Sequence, residues 1–151
     1  MSDDKFFRKI GYINDGVVID HISHGKAFDI VKILKLDTLK DFVVIASNFK
    51  SNKYGVKDLI KIKSKELTDT ELNKIALLSK NATINVINDG KVTKKWKVNL
   101  PDSILNILKC NNPSCITNIE EIPTKFYVID KELLKVKCHY CEKAQTNIII
   151  K

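Results

Sequence analysis

All four cysteines of the chain fall in its last third, in two close pairs: Cys110 and Cys115 around Asn111-Asn-Pro-Ser114, and Cys138 and Cys141 around His139-Tyr140. Cysteines used as small buried apolar residues scatter through a sequence, and these do not. Two short turns carrying two thiols each, separated by a longer excursion, deliver four soft ligands from opposite sides, as a closed tetrahedral metal site requires. Zinc is the expected ion, one structural Zn2+ per chain held by Cys110, Cys115, Cys138 and Cys141. Paired disulfides would imply an oxidising compartment, yet Met1-Ser-Asp-Asp-Lys5 leads into no apolar signal-peptide core. A redox Cys-x-x-Cys would use Cys138 and Cys141 but leave the first pair unexplained, and it normally sits beside a βαβ pattern. His139 lies inside the second pair; with four thiolates available it reads as a solvated turn residue.

This distribution divides the chain. The first hundred residues hold no cysteine and must build an ordinary apolar core, whereas the remainder is too short to do so comfortably. The expected domains are 1–100 and 101–151, with Asn99-Leu-Pro-Asp-Ser103 as the boundary. Structural zinc supplies on the order of 10–16 kcal/mol of apparent binding free energy to such a module. A formal charge of +8 favours anionic partners: nucleic acid, nucleotide phosphates or an acidic protein. The longest apolar run, Phe42-Val-Val-Ile-Ala46, has the length of a strand, so no membrane partner and a cytoplasmic location are expected.

Periodicity sets the elements. Ile10–Ile13 and Gly16–Ile22 read as extended sequence broken by a turn at Asn14-Asp-Gly16. From Lys26 to Leu36 the period changes: Ala27, Ile30, Val31 and Leu34 share one side of a helix of about three turns. Asp41–Ser47 returns to strand, Asn48–Gly55 reads as a loop, and Val56–Ile62 as another strand. Thr68-Asp-Thr-Glu71 is a capping box, with Leu67 and Leu72 placed for a hydrophobic staple. The helix it opens has Leu72, Ile75, Ala76 and Leu78 on its apolar side. Ala82–Ile87 and Lys91–Val98 flank Asn88-Asp-Gly90, a hairpin signal. The order points to an α+β domain, an antiparallel or mixed sheet with two helices on one face in a ferredoxin-like arrangement. Beyond Pro101, Ile104–Leu108 is a short apolar lead into the first cysteine pair. Lys125–Ile129, Leu133–Lys137 and Thr146–Lys151 are expected to form a small all-β zinc-binding domain.

The chain resembles the regulatory subunit of aspartate carbamoyltransferase over essentially its full length. The residues that carry the likeness are Val18-Ile-Asp-His-Ile22, Lys57-Asp-Leu-Ile-Lys-Ile62, Ala82-Thr-Ile-Asn85, Leu100-Pro101, Lys109-Cys-Asn-Asn-Pro-Ser-Cys-Ile116 and Val136-Lys-Cys-His-Tyr-Cys-Glu-Lys143. The resemblance implies a non-catalytic chain with a nucleotide-binding allosteric domain and a zinc domain that docks on a separate catalytic chain. It implies regulatory homodimers, three of which bridge two catalytic trimers in a dodecamer, and control of pyrimidine biosynthesis by CTP and ATP. It also implies a nucleotide site: Lys95 at the phosphates, Lys61 near ribose and base, Asp20 on the ribose, His21 beside the phosphates, Lys57, Asn85 and Val92 in the pocket, and the main chain of Tyr12 and Ile13 at the base edge. Gly90 stands where the family can carry an aromatic residue beside the base.

Read without that likeness, Lys57, Lys61 and Lys95 are ordinary solvated lysines, and Asp20-His21 is a polar pair at a strand end. His21 and His24 have no nearby cysteine or carboxylate pair to complete a second metal site, and Trp96 reads as a half-buried strand residue. The rival function is a zinc-ribbon nucleic-acid-binding protein, drawn from charge and cysteine spacing. Against it, the basic residues form no run, and Glu120-Glu121 and Asp130 lie between the cysteine pairs. A zinc hydrolase fits poorly, because four thiolates leave no open position and no nucleophile motif or phosphate loop accompanies them.

Overall fold

A β-branched run, Gly16–Ile22, forms the central strand β1 of a computed structural model that describes residues 11–51 and 55–151. The chain then forms helix α1 (Ala27–Ile33), strands β2 (Val43–Ser51) and β3 (Gly55–Lys63), helix α2 (Asp69–Leu78), and strands β4 (Thr83–Asn88) and β5 (Lys91–Lys97). The sheet order is β2-β3-β1-β4-β5, with every neighbouring pair antiparallel. β1 and β2 are therefore parallel, separated by β3, in the ferredoxin-like α+β order expected, and β5 widens the sheet by a hairpin. Pleating puts Val17 and Ile19 on the helix side, opposite Ile62 and Ile60 of β3 and Val86 and Ile84 of β4. Ile19, Ile60, Ile62 and Ile84 are fully buried, as are Ile30 of α1 and Ile75 of α2.

Local signals act as their chemistry dictates. The Thr68 hydroxyl accepts the Glu71 N–H at 3.2 Å and the Glu71 carboxylate accepts the Thr68 N–H at 3.0 Å, closing the capping box at the start of α2. Burial raises the Glu71 pKa, but the Thr68 N–H and the Lys65 ammonium, 3.1 Å away, outweigh it and hold the group below the usual carboxylate range. Its contribution to stability is thus present above that range and fades as pH falls through it. Asp89 and Gly90, at φ 52° and 75°, both occupy the left-handed region that the β4–β5 turn demands.

The structure departs from the sequence expectations at several elements. The first helix ends at Ile33 rather than Leu36, because Lys35 adopts φ 54° and the chain continues as a 3-10 turn over Leu36–Thr38. β2 does not stop at Ser47: Phe49, Lys50 and Ser51 pair with Lys57, Val56 and Gly55, so part of the expected loop is strand. Gly11–Ile13 are not in a strand, and Ile10 lies outside the described residues. In α2, Leu77 is buried and Leu78 only half-buried.

The described residues separate into two compact units that meet in sequence at Asn99 and Leu100. The second unit contains β6 (Ser103–Leu105), β7 (Leu108–Lys109), the one-turn helix α3 (Ile116–Ile119), β8 (Lys125–Asp130), β9 (Lys135–Cys138), β10 (Ala144–Gln145) and β11 (Ile149–Ile150). Antiparallel β10-β9-β8-β6 make one sheet, and β7 pairs with β11 in another. The strand expected at 146–151 is thus shortened to Ile149–Ile150, and β10, just ahead of it, was not expected. Ile104, Leu108, Phe126 and Val136 are fully buried. Among the described residues no helix is long and apolar enough to cross a membrane.

Two irregularities in the first sheet converge on one carboxylate. β1 carries an extra residue against β3 between Ile19 and Ile22, where His21 takes φ 54°, and β2 carries one between Ala46 and Phe49, where Asn48 takes φ 63°. Asp58 of β3 sits between the bulges, fully buried. It accepts hydrogen bonds from the Ser47 hydroxyl (3.0 Å), the Asn48 N–H (3.2 Å) and the Ala27 N–H at the start of α1 (3.1 Å). Asp58→Ala should therefore destabilise the first unit by roughly 2–4 kcal/mol, since one buried and two part-buried donors lose their acceptor. Urea unfolding would show a lower midpoint, and an unchanged midpoint would refute the role.

Candidate functional site

Four sulfurs meet in the second unit. Cys110 follows β7, Cys115 caps α3, Cys138 ends β9 and Cys141 closes the next turn, so four backbone segments aim one thiol each at a common point. The sulfurs all lie within 4.8 Å of one another, with Cys110–Cys141 and Cys115–Cys138 both at 3.7 Å. A disulfide needs about 2.05 Å, and all four cysteines are free. Among the described residues this is the only cluster of three or more metal-capable groups; His21 and His24 are not part of one. His139 is turned away, accepting or donating at 2.9 Å with the Tyr127 hydroxyl and meeting Tyr140 edge-on.

The knuckles are held by backbone geometry and by amides. Asn118 Nδ2 donates to the carbonyls of Cys110 (2.9 Å) and Asn112 (2.7 Å), and Asn112 Oδ1 accepts the Ser114 N–H. Buried Gln145 accepts the Asn111 N–H at 3.0 Å and donates to the carbonyls of Lys109 and Asn147. In the second knuckle Glu142 takes φ 62°, and its N–H reaches the Cys138 carbonyl at 3.0 Å. In the bare thiols, burial pushes Cys110 up to about 12 and raises Cys138. For Cys141, burial is outweighed by hydrogen bonds from the Lys143 N–H and the Asn112 side chain, which bring it down to about 7. Several thiolates cannot share so small a volume unless a cation neutralises them, which is the chemistry a bound metal supplies. Gln145 and Asn118 were missed by sequence reasoning, because an amide that bonds backbone carbonyls leaves no spacing pattern.

In the first unit, the strand residues among the remaining candidates share the sheet face opposite the helices. Val18 of β1 is opposite Lys61 of β3 and Asn85 of β4, and Asn85 is opposite Lys95 of β5. One cross-strand row therefore carries Lys61, Asn85 and Lys95. Further along β1, Asp20 lies opposite Thr83; its Oδ1 pairs with Lys57 Nζ at 2.8 Å and accepts the His21 N–H at 2.6 Å. The His21 ring meets the Thr83 hydroxyl at 2.9 Å, and Lys57 Nζ lies 5.5 Å from the Phe49 ring centre. At the other end of the face, Val92 pairs with Ile87 beyond a bulge at Thr93, and Ile13 is buried while Tyr12 is exposed. Thr83, Phe49 and Lys97, which faces Thr83, join this group although sequence reasoning did not name them. The alternation of β4 and β5 would have put Thr83 and Lys97 beside Asn85 and Lys95.

Comparison with known proteins divides the chain in the same way. The aspartate carbamoyltransferase regulatory chain family matches as two models, its allosteric domain over residues 8–99 and its metal binding domain over residues 102–151. The chain belongs to this family. The aspartate carbamoyltransferase regulatory chain of Pyrococcus abyssi is 51% identical over 137 residues, covering 89% of this chain and 90% of that one. Those of Thermococcus sibiricus and Methanococcus maripaludis strain C5 are 47% and 50% identical, each covering 94–95% of this chain and 95% of the relative. An aspartate carbamoyltransferase regulatory chain is a non-catalytic subunit, and the nucleic-acid finger is not favoured.

Because the fully buried core of the second unit is small, it should depend on its metal. Chelation should abolish amide-exchange protection across 103–150 while leaving β1–β5 protected. Protection that persists in β8 and β9 of metal-free protein would refute this.

Proposed function

We propose that this chain binds nucleoside triphosphates on its first unit and transmits their binding, through a zinc-shaped second unit, to the catalytic chains of aspartate carbamoyltransferase. The observation that carries the reading is the shared sheet face. Asp20, His21, Lys57, Lys61, Asn85, Val92 and Lys95 come from four strands, and register alone brings them together. Lys95 offers an ammonium group to a polyphosphate, Lys61 stands near ribose and base, Asp20 accepts from ribose hydroxyls, and His21, fixed by Thr83, adds a donor beside the phosphates. CTP and ATP are the effectors, acting in pyrimidine biosynthesis.

Zinc is the ion we assign to the four thiols. Tetrahedral ligation at a Zn–S distance of about 2.3 Å separates neighbouring sulfurs by about 3.8 Å, against the 3.7 Å pairs here. The site is closed, so the ion shapes the fold and leaves no position for substrate. Beside it lies an open cleft of about 1090 Å³ lined by Pro113, Ile119, Glu121, Ile122 and Ile149. Ile119 is 68% exposed there, as suits a face that a partner chain covers. We assign this face to the catalytic chain, within a dodecamer of two catalytic trimers and three regulatory dimers. Reduced thiols serving as ligands also suit a cytoplasmic setting.

Lys95→Ala should weaken CTP and ATP binding roughly tenfold, the loss of one charge-assisted contact, and leave association with the catalytic chain intact. Calorimetric titration decides this; unchanged affinity removes Lys95 from the site. Cys138→Ser should release the catalytic chain in sedimentation and spare nucleotide binding. A complex that survives this change would overturn the docking role of the zinc unit.

A further inference from the structure

Resting on the nucleotide reading above, we infer that the side chain of Tyr12 is the aromatic wall against which the nucleotide base stacks, and that Gly90 is glycine to make room for it. A Cβ built on Gly90 would overlap the Tyr12 hydroxyl. The glycine therefore serves two ends: it supplies positive φ for the turn and vacates the space that the phenol tip occupies. The segment that carries Tyr12 is fastened at several points. Ile13 is buried; the Asn14 carbonyl accepts the Gly90 N–H at 2.8 Å; Asp15 Oδ1 accepts the Asp89 N–H at 3.0 Å, and its carbonyl the Ser64 N–H at 2.9 Å.

On this anchored segment the ring itself is 61% exposed, and its hydroxyl reaches only a long 3.4 Å contact with Asn14 Oδ1. A large aromatic side chain held by its backbone but left in solvent suits a stacking surface better than a core residue. Its place fits an amphiphilic ligand. Tyr12 stands beside Gly90 of the β4–β5 turn, exposed Val92 lies at that end of the face, Lys61 and Lys95 lie one row on, and Asp20, Lys57, His21 and Thr83 follow at the far end. From the Gly16 row to the Asp20 row is about 13 Å along β1, so the planar part of a ligand meets Tyr12 while its anionic part runs toward the cations.

The test uses the full chain and three probes: CTP, ATP and inorganic tripolyphosphate. Tyr12→Ala should weaken both nucleotides roughly tenfold, the equivalent of one stacking contact, and leave tripolyphosphate affinity unchanged. Tyr12→Phe should retain nucleotide affinity, because the ring and not the hydroxyl stacks. Gly90→Ala, which displaces the phenol, should mimic Tyr12→Ala toward nucleotides. Nucleotide binding by the wild type that Tyr12→Ala leaves unaltered overturns this inference alone, as does an equal loss for tripolyphosphate. A wild-type chain that binds neither nucleotide overturns both the inference and the reading beneath it.

Discussion

A unit as short as residues 100–151 buries too little apolar surface to hold one shape alone, so its structure depends on four sulfurs meeting at a point. Everything in it is arranged to bring them there. β7 and β9 deliver one cysteine of each pair, a left-handed residue at Glu142 turns the second knuckle, and Gln145 and Asn118 tie the first knuckle to the backbone. The same convergence projects α3 and the segment up to Ile122 around an open cleft. Metal ligation and the proposed docking surface are thus one structural device.

The first unit solves a different problem. Its core is complete without metal, with isoleucines from three strands and two helices on one side of the sheet. That leaves the other face available for polar chemistry. Asp58 secures the arrangement from the core side: it accepts the Ser47 and Asn48 donors of the β2 bulge and the first N–H of α1, and it stands opposite Ile22, where the β1 bulge that carries His21 ends.

Signals confined to a few residues were legible in the sequence. The cysteine quartet, the Thr68–Glu71 capping box and the Asn88–Gly90 turn each depend on neighbours along the chain, and each appears as expected. What depended on distant partners was not. Lys35 and Asn48 adopt left-handed backbone without being glycine, so the first helix ends early and β2 continues through a bulge whose Asn48 N–H is taken up by Asp58, ten residues on. The lysines of the candidate site were legible as residues, but their placement in one row depends on register between four strands. Thr83 went unnoticed because a threonine in a strand carries no signal until His21 is seen beside it.

The central claim is that effector binding on one unit is felt by a partner held by the other. The most direct measurement is the aspartate dependence of carbamoyl transfer by the catalytic chain reconstituted with this zinc-loaded chain, with and without CTP or ATP. At least one nucleotide should shift the half-saturating aspartate concentration, and the shift should vanish when the catalytic chain is assayed alone. An aspartate curve that neither nucleotide moves, in a complex shown to be intact and to bind the nucleotide, would contradict it.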